Sequence, residues 1–429
     1  MMRLRRQLQR LQTQAQSVFA ESKSASPEVA RLREQLQQRF DVQKIERQKN
    51  QKTRKKTEFF DDASELLQTV TVQVIHEAFP QDSVYGHVPI EPARQPSAKT
   101  LSLLCNDSSL EEVDTSRLLY LDTETTGLHG GSGTLAFLIG LGWFSKEHFH
   151  VEQLMLSSPG QEASQLEKLC EHLDRCSGIV TFNGKRFDWP LLLNRFVLNR
   201  MKPPDMVHHI DLLHPARTVF RARLGSVRLV NLEKHIMGFE RVDDVEGSEI
   251  PARFWEFVRT HDSSVVAPVL KHNVFDILAM AALITRLVEE YSCKGFNHDR
   301  DQLGVIQLLL KCGCKEEAWN RLERLAEYSS GEVRCEAAKL LAKELQRQGD
   351  YLEAAGRLES ALVGQQISDF PDLALMLAKI YEHRIRDFDI AKNYAEHTEL
   401  IEGDDGQRKR INRILRRKQK LKGQKLIQV

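Results

Sequence analysis

Asp122 and Glu124 stand one residue apart at the end of the apolar run Leu118-Leu-Tyr-Leu121, and Gly127 turns the chain just beyond them. An unbroken apolar run bounded by a turn signal predicts a short strand covered on both faces. Side chains alternate along a strand, so the two carboxylates project to one side at its carboxyl end, where open α/β sheets keep their ligands. Two carboxylates side by side repel each other, and a divalent cation with oxygen ligands, Mg2+ or Mn2+, holds both ionised. The plainer alternative for this pair is an acidic surface turn with Thr125 and Thr126 as caps. Two further acids fall at the ends of predicted elements. Asp188 follows a strand predicted over 178–182 and opens a helix, where an N-cap role is the alternative. Asp276 lies four residues after His272 on a long helix predicted over 265–290, which puts imidazole and carboxylate on one face, one turn apart. Four acids placed this way favour metal binding over four unrelated turns and caps.

The elements that must position them form an α/β pattern. Strands predicted over 118–121, 134–144 and 148–154 make a meander, followed by a helix over 161–175. The strand 178–182 then leads to a helix running from Asp188 to about residue 199. Met206 to Asp211 reads as a fifth strand that ends in another acid. Upstream, Val70-Thr-Val-Gln-Val-Ile75 alternates like a strand and needs a sheet to join, while Pro and Gly residues over 80–96 mark an irregular connection. The glycine cluster at 130, 131 and 133 is expected to turn the chain tightly beside the acids and let a substrate backbone pass, and Gly140 and Gly142 interrupt the strand that follows. His208, His209 and His214 straddle a strand and a turn without fixed ligand geometry, and Cys312 and Cys314 lack a second ligand pair; packing is the expectation for both groups.

The chain has 429 residues with 61 Lys and Arg against 60 Asp and Glu, a net charge of +1. That balance hides a segregation. Residues 1–57 carry fifteen basic and five acidic side chains, residues 407–429 carry ten basic and none acidic, and the body between them is left at −19. Basic arms can reach a polyanion while an acidic centre holds cations, although solvated basic tails are the bland alternative. Seven scattered cysteines fit a reducing compartment. With no run judged long enough to span a bilayer and no secretory signal, the expectation is a cytoplasmic protein without a membrane contact.

Five segments follow from these shifts in composition: a basic, Gln-rich helical or disordered arm over 1–57, an N-terminal extension over 58–117, an α/β domain over 118–292, a helical region over 298–406, and a basic tail over 407–429. The helical region repeats itself. Gly313-Cys-Lys-Glu-Glu-Ala318 returns 36 residues later as Gly349-Asp-Tyr-Leu-Glu-Ala354, and Phe388-Asp-Ile-Ala391 echoes Tyr351-Leu-Glu-Ala354 after 37 more. That period resembles tetratricopeptide-type helical pairs, which stack into scaffolds for a protein partner.

As a set, Leu121-Asp-Thr-Glu-Thr-Thr-Gly127, Thr181-Phe-Asn-Gly-Lys-Arg-Phe-Asp188 and His272-Asn-Val-Phe-Asp276 resemble the three motifs of the DEDD exonuclease superfamily. Gly130-Gly-Ser-Gly-Thr134, Phe137-Leu-Ile-Gly140, His209-Ile-Asp-Leu-Leu-His-Pro-Ala-Arg217 and Gly247-Ser-Glu-Ile-Pro251 bring it closer to the bacterial YprB-like branch, over roughly residues 70–290. The resemblance implies a ribonuclease H-like fold, a mixed five-stranded sheet flanked by helices, with the helical repeats behind it. It implies hydrolysis of phosphodiester bonds in DNA or RNA from a single-stranded 3′ end. Asp122, Glu124, Asp188 and Asp276 would hold two Mg2+ or Mn2+ ions about 4 Å apart, one activating water and one stabilising the leaving oxygen. Family members place a Tyr four residues before the last acid or a His five before it. Here the position four before is His272 and the position five before is Lys271, so His272 would be the general base at the tyrosine spacing. Thr125, Gly127, Asn183, Lys185, Asp211, Arg217 and Asn273 would contact substrate. A catalytically weak nucleic-acid-binding adaptor that uses the repeats as its scaffold is the alternative.

Overall fold

The computed structural model describes residues 72–127, 133–205, 208–292 and 298–427. The expected basic arm, most of the glycine cluster and the start of the 206–211 strand lie outside them.

Six strands form one sheet: β1 (Gln73–Pro80), β2 (Leu118–Thr125), β3 (Ala136–Phe144), β4 (His148–Met155), β5 (Gly178–Thr181) and β6 (His209–Asp211). Their spatial order is β1-β4-β3-β2-β5-β6. The meander β2-β3-β4 is antiparallel, β1 adds antiparallel to the free edge of β4, and β5 and β6 run parallel to β2 on its other side. The sheet thus has six strands where the sequence predicts five. The sixth is the strand expected upstream, displaced toward its C-terminus: the alternation begun at Val70 runs on through His76 and Ala78, so the pairing with β4 extends to Pro80.

Alternation along β2 sends Leu118 and Tyr120 to one face and Leu119 and Leu121 to the other. The first face packs on α1 (Ala98–Cys105), α4 (Leu213–Leu224) and the long α6 (Ala267–Ser292). The second packs on α2 (Glu162–Leu173), α3 (Asp188–Leu198) and α5 (Ile250–Thr260). Helix α1 lies in a stretch that the sequence leaves irregular. Ser97 starts it by accepting the amide hydrogen of Thr100, and Asn106 ends it in the left-handed region.

In length and apolar content α6 would suffice to cross a bilayer, contrary to the expectation that no segment approaches that size. Its apolar surface is taken up by the sheet: Ile277, Met280, Leu283, Ile284 and Leu287 are all buried in the same core as Tyr120. Gly140 and Gly142 on β3 make that approach possible. A Cβ on Gly142 would lie 2.5 Å from the Ile277 side chain, and one on Gly140 would lie 2.1 Å from Asn273. These two glycines therefore admit the helix.

The rest is helical: α7 (Asp299–Lys311), α8 (Lys315–Tyr328), α9 (Gly331–Gln348), α10 (Tyr351–Leu362), α11 (Pro371–Ile380), α12 (Phe388–Ala395) and α13 (Glu399–Ile427). Helix α7 is fixed to α4. A Cβ on Gly304 would stand 2.4 Å from the Thr218 carbonyl oxygen, and Arg223 grips the buried Asp301 through two nitrogens. Val305, Ile306 and Leu309 continue the core of the sheet's first face. Later helices close over a separate core around Leu358, Leu377 and Ile414. The expected basic tail is the body of α13. Arg410, Arg413 and Arg417 all turn to the buried carboxylate of Glu382, with Arg413 Nε 2.6 Å from Oε1. A buried acid recruits its counter-charges, so part of the basic run is structural and not a free arm.

Candidate metal centre

The acids collect where β2 ends against α6. Asp122 and Glu124 lie on the face of β2 that carries Tyr120, toward α6, while Asp188 opens α3. Three of the four carboxylates, those of Asp122, Asp188 and Asp276, have an identifiable hydrogen-bonding holder. Asn273, on α6, donates from Nδ2 to Asp122 Oδ2 at 2.9 Å, and Asn273 Oδ1 accepts from Gln153 at 2.9 Å. Thr123 donates from its hydroxyl to Asp188 Oδ1 at 2.5 Å. Asp188 is the first residue of α3 and Phe187 stands at the N-cap, so Asp188 is not the N-cap residue. Arg241 donates to Asp276 Oδ1 at 2.5 Å.

The electrostatics are those of crowded like charge. Burial first, then the neighbouring carboxylates Asp276, Asp188 and Glu124, push the Asp122 pKa well above the carboxylate range, against the pull of the Asn273 hydrogen bond. Glu124 is raised in the same way by burial, Asp276 and Asp188, with Arg241 opposing. Burial also raises Asp188, less so because Thr123 hydrogen-bonds the charged form. Such a group ionises together only if a cation neutralises it. The donors fit one. Glu124, His272 and Asp276 each offer a ligand atom, and the three atoms lie within 4.8 Å of one another. His272 Nε2 is 3.4 Å from Asp276 Oδ2 and 3.9 Å from Glu124 Oε1.

Behind the acids lies a buried network that the sequence does not announce. Arg241 is 2 % exposed; it pairs with Glu233 through Nε and Nη2, both at 2.8 Å, as well as with Asp276. Burial disfavours the guanidinium charge, yet Asp276 and Glu233 raise its pKa above the ordinary arginine value. Tyr85 donates to Glu233 Oε1 at 2.5 Å, and burial raises the Glu233 pKa more than Arg241 and Tyr85 lower it. Asp244 accepts at 2.8 Å from the direction of His272 Nδ1. Arg241 and Asp244 lie in the loop that leads to α5, and nothing local marks Arg241 as the partner of residues 8 and 35 positions away.

Several of the residues expected to contact substrate make internal hydrogen bonds. Asn273 is fully buried and holds Asp122. Asp211 is buried too, accepting the amides of Asn183 at 2.8 Å, Lys185 at 3.1 Å and Leu213 at 3.0 Å. It shapes the loop that delivers Asp188. Its backbone partners carry no side-chain signature, which is why an acid at a strand end reads as a ligand. The Asn183 backbone is left-handed with φ of 70°. Thr125 donates to the Gly127 carbonyl at 2.8 Å and fixes the turn after Glu124. Lys185 Nζ lies 3.9 Å from Asp107, and Arg217 is exposed on α4. His209 is buried and hydrogen-bonds Thr181, as packing predicts, and Cys312 caps onto the Leu103 carbonyl.

A sheet of this order with acids at the end of its central strand defines a ribonuclease H-like domain, and residues 119–288 match the RNase_H superfamily. Over 300 residues the chain is 29% identical to the protein YprB of Bacillus subtilis (strain 168), itself described as uncharacterized, covering 69% of this chain and 72% of that one.

Proposed function

We propose that the protein is a metal-dependent nuclease of the DEDD type, a 3′ to 5′ exonuclease that hydrolyses phosphodiester bonds in DNA or RNA. The observation that carries this reading is the convergence of Asp122, Glu124, Asp188 and Asp276, electrostatically coupled, at the carboxyl end of β2. Two divalent ions, Mg2+ or Mn2+, would be held by these four acids and would supply an activated water and charge for the leaving oxygen. The chain's own part is positioning. Asp122 gives one oxygen to Asn273 and Asp276 gives one to Arg241, which fixes both carboxylates and leaves one oxygen on each for a cation. The helical region would serve as a tetratricopeptide-like scaffold for a protein partner; Leu352, Val363 and Leu400 are exposed on it.

The test is cleavage of end-labelled single-stranded DNA and RNA in Mn2+ by wild type and Asp122→Asn. Loss of shortening from the 3′ end in the variant supports the reading. Equal rates for both proteins, or no cleavage by wild type, sink it and favour the adaptor.

A further inference from the structure

We propose that His272 is a metal ligand through Nε2, held in that orientation by Asp244, and that the position it shares with Glu124 and Asp276 takes a divalent transition ion in preference to Mg2+. This rests on the reading of the acids as metal holders and changes what His272 does there.

The ring is fixed from behind. Asp244 Oδ1 lies 2.8 Å from Nδ1, and Arg241 Nη1 lies 3.2 Å from the same nitrogen. Both contacts cannot be hydrogen bonds in one tautomer, because the guanidinium only donates and the carboxylate only accepts. The shorter contact is to Asp244, and Arg241 Nη1 has its own acceptor in Asp244 Oδ2 at 3.3 Å. Nδ1–H donating to Asp244 therefore satisfies every group. The lone pair of the neutral ring is then on Nε2, which faces the oxygens of Asp276 and Glu124 at 3.4 and 3.9 Å.

A lone pair among carboxylate oxygens is repelled unless a proton or a metal ion stands between them, and a metal ion bound there takes the place of the proton. A general base would need that lone pair directed at a water proton, with its acceptor role free. Here the side chain is only 15 % exposed and its Nε2 points into the same group of oxygens. A carboxylate on the remote nitrogen is the usual support of a metal-bound histidine, since it fixes the tautomer and strengthens the donor. One imidazole in place of an oxygen ligand also changes selectivity. Mg2+ demands oxygen and sheds its water reluctantly, whereas first-row transition ions accept nitrogen.

The experiment is titration of the full-length protein with Mn2+ and with Mg2+ by calorimetry, together with pulsed electron paramagnetic resonance of the bound Mn2+. Wild type is expected to bind Mn2+ more tightly than Mg2+ and to show a directly coordinated nitrogen. His272→Gln loses that nitrogen and the Mn2+ preference. Asp244→Asn is expected to weaken Mn2+ by about 10 to 100-fold, with Asp244→Glu recovering part, and it stands in should His272→Gln fail to fold. Bound Mn2+ without a coordinated nitrogen in wild type, or unchanged Mn2+ affinity in folded His272→Gln, overturns the proposal while leaving the four acids as metal holders. No uptake of either ion by wild type overturns both.

Discussion

Asn273 occupies the space over Gly140 that any side chain at 140 would need, and from there its amide reaches Asp122, the residue paired with Gly140 across the sheet. Replacing Gly140 with Ala would put a Cβ 2.1 Å from Asn273 Oδ1. Asn273 must then leave, which unpins Asp122 and breaks its bond to Gln153. Gly140→Ala is expected to cost roughly 1–3 kcal/mol in stability and to lower nuclease activity at least tenfold, measured by denaturant unfolding and by the end-label assay. Normal activity would mean that Asp122 needs no such support.

Among the described residues, Arg241 is the one cation paired with the Glu233 carboxylate. Glu233 is fully buried, and its partners are Arg241 and Tyr85. Arg241→Met should destabilise the protein by about 3–5 kcal/mol, the cost of leaving a buried charge unpaired. The double variant Arg241→Met with Glu233→Gln should recover much of that loss, since it removes the stranded charge. Chemical denaturation of the three proteins decides the matter.

Removing metal should make an acid at the site a liability. Asp122 faces three other carboxylates that raise its pKa. In EDTA near neutral pH, Asp122→Asn should therefore melt at a higher temperature than wild type. In millimolar Mn2+ the order should reverse, because wild type gains binding free energy that the variant lacks. Melting curves that keep the same order in both buffers would argue against a cation at this position.

Away from the site, Glu290 gives the folded protein a pH dependence. Burial raises its pKa to about 7, more than Arg286 lowers it. Between the ordinary carboxylate pKa and about 7 the folded chain keeps a proton that the unfolded chain releases, so this residue's contribution to stability falls as pH rises through that window and is flat above it. Glu290→Gln should flatten that slope, as measured by unfolding free energy at several pH values in EDTA.

Much of the site could be read from spacing. Period-two alternation puts Asp122 and Glu124 on one side, and a four-residue step puts His272 with Asp276; both rules are local, and both hold. What supports these residues is not local. Tyr85 reaches Glu233 across 148 positions and Asn273 reaches Asp122 across 151, so no window of sequence contains both partners. Asp211 shows a third limit. Its type and place at a strand end were legible, but its partners are backbone amides, to which every residue contributes alike. The same holds for Gly140, whose purpose depends on the helix packed against it.

The close approach of Gly304 to Thr218 bears on how this chain can be cut. With Val305, Ile306 and Leu309 sunk into the same core as Tyr120 and Ile277, α7 is a wall of the α/β domain. A fragment ending at residue 292 would present a raw apolar face to water, and a fragment beginning at 298 would carry the matching one. Anything bound by α8 or α9 would accordingly be carried on helices that share a core with the sheet bearing the acids.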